Sequence, residues 1–320
     1  MHFRQLGRSQ YSVSSVALGC WPIAGITTLN ATREESLATL RAAVEAGINF
    51  MDTAYAYGIH GESEQMIGEV IRDCRDQIVV ATKGGIHRVG RGQEYDARPE
   101  TLRRQCDESL QRLGTDRIDL YYLHAPDPQT PITDSAGAIA ELIQAGKVVL
   151  AGASNLNLHQ LQQFHEVCPI SAVQPHYNLL QREIETELVP WCLNLGVSIC
   201  VYWPLMKGFL AGKLQRDHQF EAGDGRAKYP MFQGDEWHRN HDFLDELRII
   251  AKDLNVSVAQ LAIAWTIHQP GITAALCGAK RDWQIQETAA AMHVHLTEDI
   301  LSQINAAVTR RGSIVSRAAV

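Results

Sequence analysis

The sequence predicts an α/β fold, a (β/α)8 TIM barrel with an N-terminal hairpin and extra C-terminal helices. Three observations predict it. Short apolar runs recur eight times along the 320 residues, most of them preceded by a helical stretch. Glycine closes several of those helices, where a left-handed cap wants no side chain. The runs are apolar on both faces, as parallel strands covered on both sides are. Eight such units in about 300 residues fit a closed barrel. An open doubly wound sheet is the competing architecture. It normally carries a Gly-x-Gly-x-x-Gly turn after its first strand, and this chain has none.

The elements follow in order. Arg4-Gln5-Leu6 and Val13-Ser14-Ser15, around Gly7-Arg8-Ser9, read as a hairpin over residues 1–15 that plugs the barrel bottom. Val16–Gly19 is strand one. Thr32-Arg33-Glu34-Glu35 has the form of a capping box, Leu37, Leu40 and Val44 continue at helical spacing, and Gly47 ends the helix before Ile48–Met51, strand two. Ile78–Ala81 is strand three. A helix starting at Pro99 and closed by Gly114 leads to Ile118–Leu123, and one closed by Gly146 leads to Val148–Ala151. Ala172-Val173 is strand six; a helix around 183–195 closed by Gly196 leads to Val197–Val201; Ile272–Leu276 is strand eight. Cys200 and Cys277 are expected in the barrel interior.

The longest unpatterned stretch follows strand seven, so 206–240 is expected to be a lid or cofactor loop. A helix pair is expected over 241–269, a last helix from Thr297, and a loose tail over 311–320. No linker interrupts the pattern, and residues 1–320 are expected to form one domain.

Composition narrows the function. Lys plus Arg is 29 and Asp plus Glu 36, a formal charge of −7, which argues against a nucleic-acid partner. No run of about 18 uncharged apolar residues exists to span a membrane. Seven cysteines without a Cys-x-x-Cys pair fit neither a disulfide framework nor a zinc site, so a cytoplasmic chain with no metal is expected.

In a barrel the C-terminal strand ends converge on one mouth. Here those ends are Asp52, Lys83, His124, Ser154-Asn155, Gln174, Tyr202 and Gly278, polar or aromatic where the strands are apolar. Tyr57 lies five residues past Asp52. A lysine beside a tyrosine favours tyrosinate, so Lys83 is expected to lower the Tyr57 pKa, with Asp52 holding Lys83 charged. An isolated Asp–Lys pair is more often structural; Tyr57 and His124 beside it favour chemistry. Tyr55 is expected to pack, and His238-Arg239-Asn240-His241, His293 and His295 to lie on solvated surface. Trp21, in the loop after strand one, is a candidate substrate wall because aromatic side chains line apolar pockets, and His87 is a candidate for substrate contact because it lies on a loop above the mouth.

These residues resemble the aldo-keto reductase family, in the bacterial branch similar to potassium-channel β subunits. The resemblance rests on Asp52-Thr53-Ala54-Tyr55-Ala56-Tyr57-Gly58, Ala81-Thr82-Lys83, Leu123-His124-Ala125-Pro126-Asp127, Gly152-Ala153-Ser154-Asn155, Val173-Gln174-Pro175-His176-Tyr177-Asn178, Tyr202-Trp203-Pro204-Leu205 and Gly278-Ala279-Lys280-Arg281, in that order. It implies an NADPH-dependent oxidoreductase acting on aldehydes or ketones. Tyr57 would be the general acid, tuned by Lys83 and Asp52, with His124 orienting the carbonyl. Ser154, Asn155 and Gln174 would hold the carboxamide of NADPH/NADP+ and Tyr202 would stack on its ring. Trp203, Pro204, Leu205, Lys207, Gly208 and Lys213 would follow its pyrophosphate. Gly278, Lys280, Arg281, Gln284, Glu287 and Thr288 would hold the adenosine half, with Lys280 or Arg281 near a 2′-phosphate. Trp203, Lys280 and Thr288 depart from the residues usual there. A redox-sensing or regulatory NADP(H)-binding protein with slow turnover is the alternative, and a barrel isomerase or lyase using Lys83 as a Schiff base is a third reading.

Overall fold

A computed structural model describes residues 3–25, 31–90 and 92–314. Eight parallel strands close into a barrel: β1 (Val16–Gly19), β2 (Phe50–Asp52), β3 (Val79–Gly84), β4 (Ile118–Leu123), β5 (Val148–Ser154), β6 (Ile170–Gln174), β7 (Ser198–Val201) and β8 (Ile272–Gly278). The helices are α1 (Arg33–Glu45), α2 (Glu62–Ile71), α3 (Pro99–Leu113), α4 (Ile132–Gln144), α5 (Leu158–Val167), α6 (Leu188–Leu195), α7 (Gly234–Asp253), α8 (Val258–His268), α9 (Asp282–Ala289) and α10 (Glu298–Arg311). The capping box at Thr32 forms, its hydroxyl accepting from the Glu35 amide while the Glu35 carboxylate accepts from the Thr32 amide.

Parallel register sets which side chains share a level. Gly19 lies opposite Asp52, Asp52 opposite Ala81, Lys83 opposite Tyr122, and Gln174 opposite Ser154. The strand period of two then sends alternate residues inward. Phe50, Ala81, Leu120, Tyr122, Cys200 and Leu276 fill the interior. Gly152 is required beneath Tyr122, because a Cβ there would lie 2.4 Å from the Tyr122 ring. Cys277 falls on the other face, among the residues under the outer helices; the one-residue offset from Leu276 reverses its expected direction.

Phe3–Gln5 pairs antiparallel with Ser12–Ser14 below the barrel. Leu6 and Val13 of this hairpin are fully buried in the interior cluster, a burial of the order of ~1.5–3 kcal/mol per side chain. A second hairpin, Ile86–Val89 paired with Gly92–Tyr95, rises from the loop after β3 and was not foreseen from the sequence.

Two boundaries toward the C-terminal end differ from expectation. Helix α7 begins at Gly234, so the end of the expected 206–240 loop is helix, and short helical turns at Gly225–Lys228 and Pro230–Phe232 break up much of the rest. Asn240 and His241 are therefore buried, not solvated, with the His241 ring 4.3 Å from Trp237. Arg311 is the last residue of α10, not tail, and its buried guanidinium pairs with Glu236 and donates to Asn240. Residues 1–2 of the expected hairpin and 315–320 of the expected tail lie outside the described residues.

Candidate active site

Side chains at or beside the strand ends meet at the upper mouth of the barrel. Lys83 is fully buried, and its ammonium has three donors. They go to Asp52 Oδ1 at 2.6 Å, the Thr53 carbonyl at 2.7 Å and the Tyr57 hydroxyl at 3.3 Å. The second Asp52 oxygen accepts from the Gln174 side-chain amide at 2.7 Å. A buried ion pair needs such extra hydrogen bonds to offset its desolvation. Tyr57 reaches the group because the chain after β2 turns back: Tyr55 donates its amide to the Lys83 carbonyl and Tyr57 its amide to Ala54.

The electrostatics depart from expectation at Tyr57. Burial pushes the phenol up, Lys83 pulls it down, Asp52 pushes it up again, and the outcome is a pKa raised above the ordinary 10. Removing water outweighs one cation whose charge is already matched by Asp52. Tyr57 is thus held protonated, as a proton donor must be. Burial also pulls the Lys83 ammonium down, but Asp52 and Tyr57 reverse this and hold it above its ordinary value. His124 sits edge-on to Tyr57, ring centroids 5.9 Å apart. Burial, with Lys83 and Arg88 adding to it, keeps the imidazole well below its usual 6.5, hence neutral. Its Nδ1 is buried without a hydrogen-bond partner among the described residues. Trp21 packs edge-on against Tyr57 at 5.0 Å on the open side.

Beside these residues lies a second polar set. Asn155 donates to the His124 carbonyl at 2.9 Å and to Ser154 Oγ at 3.1 Å, while Tyr202 donates its hydroxyl to Asn155 Oδ1 at 2.8 Å. Ser154 donates to the Gln174 carbonyl at 2.8 Å. Asn155 adopts φ 59°, a left-handed conformation that asparagine tolerates better than most residues. Ser154, Asn155 and Gln174 thus lie together, with Asn155 satisfied internally and the Gln174 amide nitrogen committed to Asp52.

The segment after β7 wraps the next strand end. Trp203, Met206 and Lys207 have φ of 59°, 46° and 53°, and Gly208 has φ 90°. Such strain concentrates at functional loops. The Lys207 ammonium lies 3.9 Å from the Trp203 ring centroid and 4.4 Å from that of Tyr229, a partner the sequence did not suggest. Pro204 is buried and Leu205 packs on the core. Lys213 crosses to Glu287 at 2.7 Å and lies 4.1 Å over the Trp283 ring, tying this segment to α9. At the start of α9 the Gln284 side chain accepts from the Lys280 amide at 2.9 Å. Lys280 and Gly278 are exposed, and Arg281 is paired with Glu35 at 2.9 Å. Thr288 is the departure: it is buried, its hydroxyl turned to the Ile285 carbonyl, so it presents nothing to a ligand. His87 faces Glu94 at 3.4 Å, on the second hairpin rather than at the barrel mouth. Tyr55 packs as expected, donating its hydroxyl to Glu108 at 2.6 Å.

The donor set suits a nicotinamide dinucleotide: hydroxyl and amide groups for a carboxamide, an aromatic face at Tyr202, and Lys207, Lys213 and Lys280 for phosphates. The sequence profile of the Aldo/keto reductase family matches residues 15–309. The chain belongs to this family. It is 34% identical over 289 residues to the aldo-keto reductase YhdN of Bacillus subtilis (strain 168), covering 89% of this chain and 87% of that one. It is 32% identical over 309 residues to the NADH-specific methylglyoxal reductase of Escherichia coli (strain K12), covering 92% and 94%. Among solved structures, the glycerol dehydrogenase AKR11B4 from Gluconobacter oxydans superposes with a TM-score of 0.91 at 31% identity, covering 99% of this chain and 98% of that one. As an aldo/keto reductase the chain carries an oxidoreductase barrel with extra helices.

Proposed function

We propose that this aldo/keto reductase reduces aldehydes or ketones to alcohols with NADPH, Tyr57 acting as general acid. The observation that carries the reading is the three-way bond of the buried Lys83 ammonium to Asp52, Thr53 and Tyr57. When bound, the reduced nicotinamide supplies the hydride. Neutral His124 orients the carbonyl oxygen toward Tyr57. The Tyr57 hydroxyl then gives its proton to the developing alkoxide, and Lys83 stabilises the tyrosinate left behind. Ser154, Asn155 and Gln174 hold the carboxamide, Asn155 exchanging one of its present bonds to do so.

NADPH is favoured over NADH by Lys280, which is exposed beside the start of α9. Arg281 is engaged by Glu35, so Lys280 is the cation left to meet a 2′-phosphate. The chain is read as one cytoplasmic domain. The test is steady-state oxidation of NADPH with aromatic and aliphatic aldehydes, NADH in parallel. Multiple turnover with NADPH supports the reading. Tight binding without turnover sinks it in favour of a sensor, and equal use of NADH sinks the cofactor preference.

A further inference from the structure

The charges at the barrel mouth do not cancel. Asp52 and Lys83 neutralise each other, and the His124 imidazole is neutral. One cation remains beside them, Arg88 on the hairpin after β3. Its guanidinium lies 5.0 Å over the Trp21 ring, and Trp21 in turn lies 5.0 Å from the Tyr57 ring. Its Nε donates to the Ala56 carbonyl at 3.2 Å, fixing the group against the loop that carries Tyr57. No carboxylate pairs with it among the described residues, and Nη1 and Nη2 keep no partner there.

The neighbouring cations differ. Arg88 shares a crevice of about 140 Å³ with His87, Arg104 and Arg112. There His87 meets Glu94 at 3.4 Å, Arg104 meets Glu108 at 3.0 Å and Arg112 meets Glu64 at 3.2 Å. Of the three arginines there, Arg88 alone lacks a carboxylate partner among the described residues, on a chain with a formal charge of −7. A half-buried cation without a partner is costly unless a ligand supplies the anion. The two open nitrogens form the planar fork that a carboxylate fits with two parallel bonds.

Resting on the reductase reading above, we infer that the preferred substrates are carbonyl compounds bearing a terminal carboxylate, recognised by Arg88. The carbonyl lies at Tyr57 and His124, an apolar spacer runs along the Trp21 ring, and the carboxylate meets Arg88. A spacer the size of a benzene ring suits the two successive 5.0 Å steps, from the Tyr57 ring to the Trp21 ring and from there to the guanidinium.

The test compares para-carboxybenzaldehyde with para-methylbenzaldehyde by steady-state NADPH oxidation, using the wild-type chain, Arg88→Gln and Arg88→Lys. The wild type is expected to favour the carboxylate by about 10- to 100-fold in kcat/KM, as a charge-assisted hydrogen bond does. The advantage should lie mainly in KM and shrink with added salt. Arg88→Gln is expected to bring the ratio close to one and Arg88→Lys to keep part of it. A wild-type ratio of one or less overturns the inference while turnover of para-methylbenzaldehyde leaves the reductase reading standing. An equal loss on both aldehydes in Arg88→Gln also overturns it, since Arg88 then only packs on Trp21. If neither aldehyde turns over, the reductase reading fails, and quenching of tryptophan fluorescence still decides. Tighter binding of para-carboxybenzaldehyde to wild type than to Arg88→Gln upholds the site, and equal affinity removes it.

Discussion

The Gln174 side-chain amide donates to Asp52 at 2.7 Å, across 122 positions of sequence, and so completes the shell of the carboxylate that holds Lys83. Both side chains are nearly fully buried. Gln174 therefore positions the ion pair as well as lying beside Ser154 and Asn155. Gln174→Leu leaves one Asp52 oxygen without a partner, a cost of about 1–3 kcal/mol. Thermal unfolding should show a Tm lowered by several degrees, and kcat should fall while the fold is kept. An unchanged Tm would mean that water or another side chain takes over the bond.

Tyr57→Phe removes the proton donor and leaves the ring that packs on Trp21 and His124. The expected loss is roughly 10²–10⁴-fold in kcat, with cofactor affinity within a few-fold of wild type by fluorescence titration. Full activity would move the acid role to another residue.

Lys83→Met breaks the pair from the other side. Asp52 is then buried without its cation, and losing one partner of a buried pair costs about 3–5 kcal/mol. Denaturant unfolding should show the loss. Because that loss can unfold the chain, Lys83→Arg serves as companion: it keeps the charge but its fork does not fit three acceptors set for a compact ammonium. Activity at wild-type level in Lys83→Arg would show that charge alone, not placement, matters.

The pH dependence follows from the signs. Tyr57 must be protonated to donate, and its raised pKa keeps it so until above pH 10. His124 must be neutral to orient the carbonyl, and its lowered pKa keeps it neutral at and above its ordinary 6.5. The kcat/KM for reduction is therefore expected to be flat from pH 7 to 9, falling only at strongly alkaline pH. A limb centred near 6.5 would assign His124 a charge that this geometry does not support.

Lys280→Met tests the cofactor preference. One charge-assisted contact to phosphate lost corresponds to roughly tenfold in affinity, so KM for NADPH should rise about tenfold and KM for NADH little. An equal effect on both would remove Lys280 from the 2′-phosphate.

The strand ends were readable in advance because the period of two and the closure of eight units leave them one direction to point. Asp52, Lys83 and Tyr57 meet as their order along the chain suggested. Arg88 was not readable, because its hairpin is short, polar and marked only by Gly90 and Gly92. Asn240 and His241 read as surface because polar letters in a loop-like stretch hide the first turns of α7, whose buried face includes them, and Arg311 reads as tail because nothing local marks it as the end of α10.

Local signals thus determined the barrel, the caps and the identity of the groups at its mouth, since propensity, spacing and residue chemistry act over a few positions. Only the tertiary structure decided the direction of the Tyr57 shift, the partner of Gln174, the inward turn of Thr288 and the unmatched charge of Arg88. Each depends on how much water a fold removes from a group and which distant charge it brings near, quantities that no stretch of sequence contains.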